Sequence, residues 1–167
     1  MFWSSDYFGL SGGFLRTQGR AELRSRHAAK WTRDEPANAA AWDELSNGYA
    51  RLHQLDDALF AATKAAQLSP EDVALWRNVG HLNLALERLP EAGGAFDKVL
   101  AANSDDTDAL CGNALVANGS GRLKDAFAFA ARVKAAGGTC EGLSVGESVA
   151  VVVKAPVTAK FPSSIRR

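Results

Sequence analysis

The stretch that decides the fold is AAAWDELSNGYARLHQLDDALFAATKAAQLSPED, residues 39–72, followed without a break by VALWRNVGHLNLALERLPEAGGAFDKVLAANSDD, residues 73–106. Laid over one another, the two strings put like on like: Trp42 on Trp76, Leu45 on Val79, Ser46 on Gly80, Ala58 on Ala92, Ala62 on Phe96 and Ala65 on Val99. The period is 34 residues. Self-similarity at a fixed spacing of this size marks an array of one recurring supersecondary unit, which buries its apolar face by stacking on its neighbours.

The residue types within the unit say what it is. Small side chains (Ser46, Ala58 and Ala65, then Gly80, Ala92 and Val99) sit where two antiparallel helix backbones must approach. Large ones fill the wedges beside them: Trp42, Leu45, Tyr49, Leu55 and Leu68, then Trp76, Val79, Leu82, Leu86, Leu89 and Phe96. Their spacing of three, four and seven is helical. Pro70 closes the first unit, and Pro90 stands in the first turn of a helix, where a missing N–H is harmless. In period, small positions and closing proline, residues 39–106 resemble the tetratricopeptide repeat family. The resemblance implies an all-α fold, a right-handed superhelical solenoid of antiparallel helix pairs. Helices are expected near 39–52, 56–68, 72–86, 90–102, 107–118 and 122–135. Trp42 and Trp76 are expected to be largely buried, so that truncating either to alanine costs about 3–5 kcal/mol.

The pattern fades outward. Residues 1–38 read as a degenerate repeat, with Phe8, Gly12 and Pro36 at the places of the first aromatic, the small residue and the closing proline. Arg24 falls where a packing alanine belongs, and Gly9, Gly12 and Gly13 each weaken a helix by about 1 kcal/mol relative to alanine. A frayed first helix and a well-formed second one near 20–33 are expected. The second is basic through Arg16, Arg20, Arg24, Arg26, Lys30 and Arg33, read as a solvated outer face. Residues 107–138 form a third full unit, in which Leu110 replaces the tryptophan, Ala114 and Ala126 hold small positions, and Gly137-Gly138 stops the array. The tail, 139–167, breaks the pattern with the apolar run Ser148 to Val153 and with Pro156 and Pro162. Read from sequence, it is an extended segment on the last helix, an isolated strand, or disorder, and its apolar run is a route to self-association.

A chain of 167 residues with 47% hydrophobic residues supports a sizeable core, and its 19 basic and 19 acidic residues leave no net charge to attract nucleic acid or an anionic membrane. No secretory signal or membrane-span pattern is visible, so the expected location is the cytoplasm. Cys111 and Cys140 lack metal-finger or CxxC spacing and are expected to be reduced, structural thiols. Asn118-Gly119-Ser120 matches a glycosylation sequon but reads as a turn between helices. No metalloprotease, phosphate-loop, nucleophile-elbow or dinucleotide motif occurs, and His27, His53 and His81 are too scattered to form a ligand set. The expectation is a protein without catalytic residues, metal or cofactor.

What remains is surface recognition. In the tetratricopeptide family the first helix of each unit lines a concave groove. Carried over position by position, the groove residues here are Asp43, Glu44, Asn47, Ala50 and Arg51, then Arg77, Asn78, His81, Leu84 and Ala85, then Asp108, Cys111, Leu115 and Asn118. The core of the candidate site is Asp43, Asn47, Arg77, Asn78, His81, Leu84, Leu115 and Asn118, with the amides suited to the backbone of an extended peptide. The implied function is an adaptor or chaperone-like module that binds a peptide or helix of a protein partner. The alternative is a structural piece of a longer array, or an accessory module of an enzyme complex. A two-carboxylate clamp for the acidic tails of heat-shock chaperones needs cations where this chain has Asp43, Asp108 and Gly112, so such tails are not expected to bind. Leu84 and Leu115 would anchor an apolar side chain, and His81 would make binding vary between about pH 6 and 8.

Overall fold

The computed structural model describes residues 6–140, with side chains from residue 19 onward. Every regular element among the described residues is an α-helix. In chain order these are α1 (Asp6–Asp34), α2 (Ala39–Arg51), α3 (Leu55–Leu68), α4 (Val73–Ala85), α5 (Leu89–Ala102), α6 (Thr107–Gly119) and α7 (Leu123–Ala135). The chain divides between Ser69 and Pro70 into two compact units. The tail expectation lies outside the described residues except for Thr139 and Cys140.

The first unit holds α1, α2 and α3, with α2 packed against both others. Here one expectation is corrected, because α1 is a single helix of 29 residues and not a frayed helix followed by a good one. Glycines lower helix propensity but keep their N–H and C=O groups, so the ladder runs on until Pro36 removes a donor. The buried face of α1 is Ala21, Ser25, Ala28 and Thr32, spaced four, three and four. Ser25 and Thr32 satisfy their hydroxyls on the backbone of their own helix, on Glu22 O at 2.9 Å and Ala29 O at 3.1 Å. Small side chains let α2 come close enough that a Cβ on Gly48 would lie 2.9 Å from Ser25 Cβ. Arg24 is exposed, and Ser25 and Ala28 do the packing that the alignment had assigned to position 24. The local core is Ala28, Leu45 and Ala61, with Ala29, Trp42 and Tyr49 packed on it.

In the second unit α5 packs between α4 and α6, α6 also touches α4, and α7 closes on α6. Its centre is Phe96, fully buried, whose ring meets Gly80 of α4 on one side and Gly112 of α6 on the other. Around it lie Leu84, Ala92, Val99, Ala109 and Val116. Burying a phenylalanine completely contributes about 1.5–3 kcal/mol, so the two glycines are the condition for the largest single packing gain here.

The 34-residue period is written into the backbone chemistry. Asn38, Asp72 and Asp106 each N-cap the first helix of a pair, their side-chain oxygens accepting from backbone N–H groups of the first turn. The turns inside the pairs place His53, Glu87 and Gly121 at φ of 58°, 58° and 74°. Each turn is then tied by one bond of the same type: Gln54 N–H to Tyr49 O, Arg88 N–H to Asn83 O, and Arg122 N–H to Ala117 O.

Trp42 and Trp76 are partly buried and packed on the two local cores, and each indole turns its N–H to a carbonyl six residues back: Trp42 Nε1 donates to Pro36 O and Trp76 Nε1 to Pro70 O, both at 2.9 Å. They lock the loop before each helix pair, with Phe60 edge-on to Trp42 and the Lys98 ammonium 3.2 Å from the Trp76 ring centroid.

Candidate functional site

Each first helix presents its candidate residues within its own unit. On α2, Asp43 and Asn47 lie one turn apart and half-buried, and Asn47 Nδ2 donates to Asp43 Oδ2 at 3.1 Å. On the second unit the relevant helices are α4 and its neighbour α6. Arg77 leaves α4 toward the start of α6, where its Nη2 donates to Asp106 Oδ2 at 2.6 Å and its Nε lies 3.8 Å from Asp108 Oδ2. Asp106 performs two jobs at once, since its other oxygen accepts from Ala109 N at 2.9 Å and caps α6. The Asp106 side chain is 11% exposed and that of Arg77 28%, so the pair is largely shielded from water. Asp108 points outward with 62% of its side chain exposed.

His81 sits one turn after Arg77. Its ring stands edge-on to Phe96, with centroids 5.3 Å apart, and its Nε2 is buried without a hydrogen-bond partner. Burial holds the imidazole below its ordinary value of 6.5, and Arg77 adds to this, while Asp108 and Asp106 oppose it. The expectation that His81 gains charge in the neutral range is therefore corrected: its charged form is disfavoured by the same burial that packs it on Phe96.

Asn78 is half-buried on the same helix, as are Leu115 and Asn118 on α6. Leu84 is 4% exposed and belongs to the core around Phe96, so it is not an anchor for a ligand; Leu115 packs on that core and keeps a partly open side. The α4–α6 contact thus holds a shielded cation with two carboxylates, and the same two helices carry the half-buried Asn78, Asn118 and Leu115.

Cys111 and Cys140 depart from the sequence reading. They are joined as a disulfide with Cα atoms 5.5 Å apart, a separation that suits a bridge. The chain makes this possible after α7: Gly137 takes φ of 78°, and Gly138 passes so close to α6 that a Cβ there would be 3.2 Å from Thr107, and 3.1 Å from Val133 of α7. The signal was present in the period, since Cys111 and Cys140 stand 34 residues after Arg77 and Asp106. His27 and His53 are exposed, and among the described residues no three metal-type side chains converge. No helix of the described residues is long and apolar enough to cross a membrane.

No family model matches the chain, and no curated protein matches it. Solved structures do. A crystal structure of MamA superposes with a TM-score of 0.68 at 19% identity, covering 81% of this chain and 76% of that one. MamA 41-end from Desulfovibrio magneticus RS-1 gives 0.66 at 21% identity, covering 78% and 73%. MamA MSR-1 gives 0.65 at 18% identity, covering 81% and 80%. At such identities the likeness is one of fold: this chain shares with those structures an all-helical, tetratricopeptide-like array of helix pairs.

Proposed function

We propose that this chain is a member of the tetratricopeptide repeat family, with repeats at 39–72, 73–106 and 107–138, that binds a peptide or short helix of a protein partner. The observation that carries the reading is the α4–α6 face. A repeat protein acts through shape and surface chemistry, and the reading is supported by the contact of α4 with α6, where Arg77 meets Asp106 and Asp108 and the family's groove positions add Asn78, Leu115 and Asn118. Arg77 is already half-neutralised by Asp106, so the face does not select free carboxylates. It suits a ligand that brings its own backbone N–H and C=O groups to the amides, a cationic side chain to Asp108, and one apolar side chain to Leu115. The other named residues of this reading, Asp43 and Asn47 on α2, offer the same amide and carboxylate chemistry in the first unit.

The test is selection from a displayed random-peptide library on the wild type, followed by titration of the enriched peptides against Asn78→Ala/Asp108→Asn and against a distant control, Lys134→Ala. The first variant is expected to lose affinity by tenfold or more, on the order of 1.4 kcal/mol, while the control keeps it. Equal binding to all three proteins would refute the site. Binding of peptides ending in several acidic residues with undiminished affinity would refute the stated selectivity.

A further inference from the structure

Cys111 and Cys140 occupy the same two stations as Arg77 and Asp106, one repeat later. Each pair spans 29 residues. In each, the first member lies at the fifth position of a first helix (α4 or α6) and the second at the residue that, by period, caps the next. Where the array between residues 73 and 106 ties one pair to the next with an ion pair, the following station is tied covalently. Repeat geometry, not chance proximity, brings these two positions together. Both cysteines are half-buried and so reachable by a small thiol. Among the described residues after α7, Gly138 lies against Val133 and Thr107 and its N–H donates to Val133 O at 2.9 Å.

We infer that the Cys111–Cys140 pair is a redox-operated clasp that fixes where the chain leaves the last helix pair. Closed, it pins residue 140 to α6. Opening follows thiol–disulfide exchange with an external dithiol. One thiolate of the dithiol attacks a sulfur of the pair, the second resolves the mixed disulfide, and the dithiol leaves as its own disulfide. Two electrons and two protons thereby pass to Cys111 and Cys140, which become free thiols. A bridge closing a loop of this length stabilises mainly by restricting the unfolded chain, so opening it lowers stability without removing a core residue.

The test uses the full chain, first treated with oxidised glutathione. Maleimide labelling in denaturant is expected to add nothing before dithiothreitol and two groups after it. The melting temperature is expected to fall by on the order of 10 °C on reduction, and the reductant effect is expected to vanish in Cys140→Ser. A Cys111→Arg/Cys140→Asp double variant, which rebuilds the preceding station's ion pair, is expected to melt above Cys111→Ser/Cys140→Ser and to lose that advantage in high salt. Labelling of the oxidised protein without reductant, or a melting temperature indifferent to reduction, would overturn the clasp. A rebuilt ion pair that melts no higher than the double serine variant would overturn the equivalence of the two stations.

Discussion

Gly80, Gly112 and Gly94 all stand inside helices, and helix propensity alone says that alanine at any of them should stabilise by about 1 kcal/mol. The structure separates them. At Gly94, on the exposed side of α5, a Cβ would meet nothing within 4 Å. At Gly80 it would lie 2.6, 2.7 and 2.9 Å from Cε1, Cζ and Cδ1 of Phe96, and at Gly112 it would press on Cε2 and Cζ from the opposite side. The ring cannot retreat, because Phe96 is fully buried and each glycine closes the route away from the other. Overpacking of this kind costs about 1–3 kcal/mol. Set against the propensity gain, Gly80→Ala should range from neutral to about 2 kcal/mol destabilising, and Gly112→Ala should be no milder. Gly94→Ala should stabilise by up to about 1 kcal/mol. Urea unfolding followed by circular dichroism measures all three. The decisive comparison is a double-mutant cycle with Phe96→Leu, which replaces the ring by a smaller branched side chain: Gly80→Ala should become favourable there, with a coupling of about 1–3 kcal/mol. If Gly80→Ala stabilises the wild type as much as Gly94→Ala does, the ring is not held between the two helices and the packing argument fails.

Because burial holds His81 below its ordinary value of 6.5, the unfolded chain takes up its proton first as pH falls. Its contribution to stability is fully present above that value and is lost as pH drops below it toward the lower folded value, at no more than about 1.4 kcal/mol per pH unit. Stability curves from pH 8 to 5 should therefore fall more steeply for the wild type than for His81→Gln; parallel curves would contradict the burial of the ring. Glu87 carries φ of 58° at the turn station that Gly121 fills with a glycine. Glu87→Gly should relax that backbone and leave stability unchanged or higher by up to about 1 kcal/mol, whereas a loss above 1 kcal/mol in the same urea assay would show that the left-handed conformation carries no strain.

The helical class, the 34-residue unit and the helix boundaries of the repeats were legible in the chain because they depend on local periodicity, caps and prolines. The helix starting at Leu89 places Pro90 in its first turn, as its position suggests, while the capping by Asn38, Asp72 and Asp106 emerges from the structure. The continuity of α1 was not legible, since glycines weaken a helix without forbidding it, and packing against α2 is a tertiary effect. The candidate site divides the same way. Positions on α2, α4 and α6 follow from the period, but what each side chain does depends on neighbours far away in sequence. Leu84 is drawn into the core around Phe96, and His81 is desolvated by the same ring. Trp42 and Trp76 turn their N–H groups to proline carbonyls and stay half-open. Arg77 spends its charge on Asp106, and Cys111 finds Cys140 at the next equivalent station. Sequence by itself determined which residues recur; only the tertiary structure decided which were buried, paired or exposed, because solvation and partner distance are set by chain segments tens of residues apart.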